Sequence, residues 1–135
     1  MKGKILIVDD EVGIRDLLVA VLKDHYDVAE ADSGAALQKS FAESQPDVIV
    51  LDVNLQDANG LVLLPLIKKR WTDTEVIVLT GAGTMEMAVE AGRLGAYNFL
   101  SKPFQIEKLL ADVKCAIERK EQNAENTTLR RALKP

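Results

Sequence analysis

Five times along the chain, a short apolar run gives way to a longer segment whose apolar residues recur at helical spacing. That alternation constrains the fold more than any other feature. The runs read as strands at about Lys4–Val8, Asp27–Glu30, Val48–Leu51, Val76–Leu79 and Tyr97–Leu100. Strand three is wholly apolar, as expected of a central parallel strand buried on both faces. Strand two alternates and is less apolar, as an edge strand can be. Repeats of β then α imply one parallel sheet, helices on both faces and right-handed crossovers.

The helical segments are placed by periodicity and punctuation. Helix one carries Ile14, Leu17, Leu18, Val21 and Leu22 on one face. Helix two is expected from Ser33, as N-cap, to about Ser44, with Leu37 and Phe41 inward. Helix three spans about Leu61–Arg70, where Pro65 removes a backbone donor and predicts a kink or a late start. Helix four is expected at about Thr84–Leu94. Helix five carries Ile106, Leu109, Leu110, Val113 and Ile117 on one stripe.

In open parallel sheets, ligands bind beyond the carboxyl ends of the strands. Strand one ends at Asp9 and Asp10, strand three at Asp52, and strand four at Thr80. Strand five is followed, after Ser101, by Lys102. The topology therefore sets three carboxylates, a hydroxyl and an ammonium on one rim. Neighbouring carboxylates repel unless a cation or proton offsets them. Oxygen donors of this kind suit Mg²⁺. The competing reading of Asp10 and Glu11 is an acidic first turn, which favours a helix's positive end. Lys102 and Thr80 can bind an incoming phosphoryl group, and a carboxylate can be the nucleophile that accepts it. Asp52 is the best nucleophile candidate, because it ends the most apolar strand.

Bulk properties exclude several classes. At 135 residues, with 47% hydrophobic and 28% charged residues, the composition fits one ordinary globular domain. The net charge of −4 offers no basic footprint, so direct nucleic-acid binding by this segment is not expected. No stretch approaches the roughly 20 apolar residues of a membrane helix, and the first apolar run is too short for a signal peptide. A cytoplasmic protein is expected. Cys115 is a single cysteine with no partner for an internal disulfide. His25 reads as a surface residue near the end of helix one. Trp71 falls in a connecting segment and offers a fluorescence probe. Met85 and Met87 lie in helix four, as packing or partner contacts.

These residues resemble the response-regulator receiver domain of two-component signalling. The resemblance rests on Ile5-Leu6-Ile7-Val8-Asp9-Asp10-Glu11, Val48-Ile49-Val50-Leu51-Asp52-Val53-Asn54-Leu55 and Gly60, then Ile77-Val78-Leu79-Thr80-Gly81. It continues through Gly95-Ala96-Tyr97-Asn98-Phe99-Leu100 and Lys102-Pro103-Phe104, and covers about Lys4 to Lys120. It implies a flavodoxin-like, doubly wound α/β fold with five parallel strands in the order 2-1-3-4-5 and five helices. It also implies that Asp52 is the phosphoacceptor. Asp10 and Asp52 would hold Mg²⁺, with Asp9 acting largely through water and the Asn54 carbonyl completing the protein ligands. Lys102 would contact the phosphoryl group, Thr80 would be the switch hydroxyl and Phe99 the switch aromatic. A cis Lys102–Pro103 bond is implied as well. The partner implied is a sensor histidine kinase, and the output face is helix 4, strand 5 and helix 5. Such a domain is a switch that assists its own phosphorylation and dephosphorylation rather than an enzyme.

Two departures stand out. Leu55-Gln56 replaces the frequent Met-Pro, which would loosen the loop after Asp52, and Pro65 interrupts helix three. Within the family, the segment from Thr80 to Ala91 and the segment from Gly95 to Phe104 are similar to the nitrogen-regulation class of sigma-factor-dependent transcription activators. On that likeness, residues 1–120 form the receiver domain and 121–135 a charged linker helix or tail leading towards an output domain beyond this segment. With Ile117 just before it, its sparse apolar residues Ala124, Leu129 and Leu133 would be one route to a homodimer; the helix 4–strand 5–helix 5 face would be the other.

Two other phosphate-handling classes use related residues. Haloacid-dehalogenase hydrolases also combine an Asp nucleophile, a Thr or Ser, a Lys and Mg²⁺. Their nucleophile follows the first strand and their acidic pair comes last, the reverse of the order here. A flavin-binding module on the same fold would place phosphate beside Asp9 and Asp10, which would repel it.

Overall fold

The computed structural model describes the backbone of residues 3–81 and 83–133, and side chains as far as residue 120. The elements alternate as the sequence requires: β1 (Lys4–Val8), α1 (Val12–Leu22), β2 (Asp27–Ala31), α2 (Gly34–Ser40), β3 (Val48–Asp52), α3 (Gly60–Arg70), β4 (Glu75–Thr80), α4 (Met85–Arg93), β5 (Asn98–Ser101) and α5 (Ile106–Leu133). All strand pairs are parallel, in the order β2-β1-β3-β4-β5. The apolar β3 is the central strand and β2 lies at an edge, as their patterns predict.

Side chains alternate between the faces of a strand, so each strand feeds two cores. Leu6, Val8, Ile49, Leu51, Val76 and Val78 face a layer that includes Leu37 of α2, Leu63, Leu64 and Ile67 of α3, and Ala91 of α4. Ile5, Ile7, Val48, Val50, Ile77 and Leu79 face Leu18 and Leu22 of α1 and Leu109, Val113 and Ala116 of α5. The sheet is thus covered on both sides, and its polar chemistry is confined to its ends.

Several local expectations change. Helix α2 stops at Ser40 rather than near Ser44. The N–H groups of Phe41, Ala42 and Glu43 bond three residues back, to Gln38, Lys39 and Ser40, so the chain tightens out of the α form. Phe41 then meets Trp71 edge-on at 4.9 Å between ring centroids, and Trp71 is a core residue. Leu17 is 39% exposed, whereas Leu18 and Leu22 are buried. Adjacent helical positions lie about 100° apart, which sets Leu17 off the buried line. Helix α3 starts at Gly60, so Pro65 causes no late start. Pro65 is exposed, and its missing donor costs one backbone bond on the water-facing side. The dipeptide Lys102–Pro103 is cis. His25 and Cys115 are exposed.

The backbone of α5 continues as one helix from Ile106 to Leu133. Ala124, Leu129 and Leu133, the apolar positions of the tail, lie outside the residues whose side chains are described. Among the described residues, no helix is long and apolar enough to cross a membrane.

Candidate functional site

The chain leaves β1 for the edge strand β2 and then crosses back to β3. The crevice between β1 and β3 is therefore the switch point in strand order, where ligands bind in such sheets. Val8 pairs with Leu51 in register. The next residue on each strand is an aspartate, so Asp9 and Asp52 stand side by side.

Lys102 joins them from the turn after β5. Its Nζ lies 2.9 Å from Asp9 Oδ2, 3.3 Å from Asp52 Oδ2 and 3.4 Å from Glu11 Oε1. The Asp9 and Asp52 side chains are only 1% and 3% exposed, and Lys102 is 13% exposed. Their remaining oxygens are occupied by backbone donors. Asp9 Oδ1 accepts the Glu11 N–H at 2.9 Å, and Asp52 Oδ1 accepts the Asn54 N–H at 3.1 Å. Each aspartate is thereby aimed by the peptide two residues further on.

Asp9, Asp10, Glu11 and Asp52 converge so that one carboxylate oxygen of each lies within 4.8 Å of the others. Two unit charges about 5 Å apart repel by roughly 3 kcal/mol at an effective dielectric constant near 20. One ammonium cannot offset four carboxylates. The strain shows in Asp52, whose pKa is raised to about 6. Loss of water is the main cause and the charge of Asp9 adds to it, against the Asn54 N–H and Lys102. Burial by itself would lower the Lys102 pKa. Hydrogen bonds and charge from Asp9 and Asp52 outweigh that and hold it above its ordinary value. The donor set is all oxygen, with Asp10 half-buried at its open side, which fits a hard dication that keeps waters.

The other expected residues lie close by. Thr80 is fully buried at the end of β4, in register with Ser101, and its carbonyl accepts the Lys102 N–H at 2.7 Å. Phe99 is half-buried against the core, opposite Val78. Gly83 sits between the two: a Cβ there would lie 2.9 Å from Thr80 Cγ2 and 3.0 Å from Phe99 Cε1. Asn54 is exposed and forms an isolated antiparallel bridge with Asn59.

Two supporting contacts escape sequence reasoning. Glu11 reaches Lys102, and Arg15 donates from Nη1 to the Asp9 carbonyl at 2.6 Å while Nε lies 3.5 Å from Glu30 of β2. Arg15 comes one helical turn after Glu11, a spacing that could have flagged it.

A five-stranded parallel sheet with an acidic, lysine-bearing crevice at its switch point defines a receiver-type signalling module. The response regulator receiver domain model matches residues 5–114, and the chain belongs to that family. It is 39% identical over 129 residues to a putative response regulator NtrX-like protein of Rickettsia bellii, covering 93% of this chain and 27% of that protein. It is 36% identical over 121 residues to the nitrogen assimilation regulatory protein NtrX of Azorhizobium caulinodans, covering 87% and 27%. Among solved structures it matches NtrX from Brucella abortus in complex with ADP, with a TM-score of 0.89 and 36% identity over 96% of this chain and 30% of that one. It also matches the beryllofluoride-activated NtrC4 receiver domain dimer, with a TM-score of 0.82 and 39% identity over 87% and 98%. The chain spans about a quarter of the length of the curated relatives it matches. With the family shown, the hydrolase and flavin readings fall away.

Proposed function

We propose that Asp52 accepts a phosphoryl group, with Asp9, Asp10, Asp52 and the Asn54 carbonyl holding Mg²⁺. The observation that supports this most is the convergence of four carboxylates at the switch point, three of them in reach of Lys102. An oxygen of Asp52 attacks phosphorus. The bond from phosphorus to the donor's leaving atom breaks, and its electron pair leaves with the donor. Lys102, already 3.3 Å from Asp52 Oδ2, is placed to follow the charge onto the phosphoryl oxygens. Bound Mg²⁺ would supply the remaining positive charge that the transfer requires. Thr80 then turns towards the phosphoryl group, and Phe99, packed round the same Gly83, moves inward after it.

The donor on this reading is a sensor histidine kinase, and the exchange takes place in the cytoplasm. The reader of the switch is the α4–β5–α5 face, either as a homodimer or against an output domain. A dimer of an activated receiver domain among the structural relatives supports the first. Residues 1–120 form the receiver, and the end of α5 leads towards a transcription-activating region, in keeping with relatives named as a nitrogen assimilation regulatory protein and a DNA-binding transcriptional regulator. Incubation with acetyl phosphate and Mg²⁺ should add one phosphoryl mass to the protein. An Asp52→Asn variant that labels like wild type would refute the assignment.

A further inference from the structure

The loop between β3 and α3 lacks the proline that would stiffen it, yet it is held from outside. Asp57 reaches across to the start of α2. Its Oδ1 accepts the Gly34 N–H at 2.8 Å and its Oδ2 the Ala35 N–H at 3.0 Å. First-turn N–H groups have no partner inside their own helix, so this carboxylate answers two of them from 23 and 22 residues away. The two N–H donors hold the Asp57 pKa below the usual carboxylate range, because they favour its charged form. The contact is close because residue 34 is glycine. A Cβ there would lie 2.9 Å from Ala58 Cβ and 3.3 Å from Asp57 Oδ1.

The loop transmits that grip because it is closed on itself. Asn54 bridges to Asn59, and Asn59 Oδ1 accepts the Leu61 N–H at 2.8 Å. The Gly60 N–H donates to the Val53 carbonyl at 2.7 Å. Gly60 also backs onto Asp52, where a Cβ would fall 2.5 Å from the Asp52 carbonyl oxygen. Asn54 and Asp57 therefore belong to one braced turn, anchored to the end of β3 on one side and to α2 on the other.

We infer that Asp57 is a positioning residue for the cation site. By clamping the loop to α2, it holds the Asn54 carbonyl in place before the cation arrives. This rests on the proposed reading of Asn54 as a ligand. An ordered ligand loses less freedom on binding, so the clamp raises cation affinity. Linkage makes the effect reciprocal: occupancy of the site must tighten the clamp, and the Gly34 and Ala35 amides must sense it.

Wild type, Asp57→Ala, Asp57→Asn and Ser33→Ala distinguish this from general stabilisation. Ser33 caps the same helix through the Ala36 N–H at 3.1 Å but does not hold the loop. Mg²⁺ binding is measured by calorimetry, melting temperature by scanning calorimetry, and labelling by acetyl phosphate across a Mg²⁺ series. Asp57→Ala should raise the Mg²⁺ dissociation constant about three- to tenfold, a softer effect than loss of a residue bonded directly to a ligand. Its labelling rate at saturating Mg²⁺ should stay within about twofold of wild type, the pattern of a lost affinity rather than a lost chemical step. Asp57→Asn, which keeps one acceptor, should fall between. Ser33→Ala should melt lower and bind Mg²⁺ like wild type.

Unchanged Mg²⁺ affinity in Asp57→Ala overturns the clamp, as does an equal loss in Ser33→Ala. Should Asp57→Ala fail to fold, the wild-type amide spectrum decides: Gly34 and Ala35 resonances that ignore added Mg²⁺ overturn the clamp. If wild type binds no Mg²⁺, the cation-site reading itself fails, a result separable from normal Mg²⁺ uptake with an indifferent Asp57.

Discussion

The two ends of one sheet treat charge in opposite ways. At the amino end of the strands, acids meet bases nearly one for one. Asp47 accepts the Lys4 N–H at 2.7 Å and pairs with Lys120. Glu75 lies 4.0 Å from Arg119, whose guanidinium also sits 5.6 Å from the centre of the Tyr97 ring. At the carboxyl end, four carboxylates crowd together and Lys102, the ammonium among them, reaches three. Both ends belong to the same strands and border the same cores, so packing does not explain the difference. The amino end is electrostatically finished, and the carboxyl end is left short of positive charge.

The strongest way to break that comparison is to exchange a carboxylate at each end. Asp52→Asn should lower labelling by acetyl phosphate and Mg²⁺ more than a hundredfold, because the amide is not a competent nucleophile. Asp47→Asn should label within about twofold of wild type. Intact-mass spectrometry reads both. Equal loss in the two variants would mean that labelling tracks folding, not chemistry.

A smaller effect concerns stability without divalent cation. Burial raises the Asp52 pKa from 3.8 to about 6, so the folded chain holds this proton more tightly than the unfolded chain. The contribution is therefore favourable and complete below pH 3.8, and is lost as pH rises through about 6. In chelator at pH 7.5, Asp52→Asn should melt about 5 °C above wild type, the response of a domain this size to roughly 1–2 kcal/mol. Near pH 4 the gap should close. Added Mg²⁺ should raise the wild-type melting point more than that of the variant. Scanning calorimetry checks each part, and an Asp52→Asn protein that melts lower than wild type at pH 7.5 would contradict the excess of negative charge.

Much of the carboxyl end was legible because it depends only on the residues directly after each strand. Once Ile5 to Val8 and Val48 to Leu51 are read as parallel strands, Asp9 and Asp52 must share a rim, whatever the rest of the chain does. Strand order was less legible from pattern alone; the receiver-domain resemblance supplied it. What escaped were contacts between distant segments and choices of one helical turn. Asp57 carries no local sign that it will clamp Gly34 and Ala35. Trp71 reads as a connector, yet α3 ends so that its ring meets Phe41 in the core. Helix α2 keeps a helical composition to Ser44, but backbone bonding tightens after Ser40.

The smallest effect belongs to the amino end. Lys120 and Asp47 are 23% and 28% exposed, so water and salt screen their attraction. Exposed ion pairs contribute about 0.2–1 kcal/mol in double-mutant cycles, because holding two side chains together costs entropy. Asp47 also accepts a main-chain N–H, so Asp47→Ala alone should cost more than Lys120→Ala, by the loss of the Lys4 bond. A cycle through Asp47→Ala, Lys120→Ala and the double variant, measured by urea denaturation, should yield a coupling below about 1 kcal/mol that shrinks in roughly 1 M salt. A coupling of several kcal/mol, insensitive to salt, would show that the amino end is also under electrostatic tension, and the contrast between the two ends would then no longer point to a cation site.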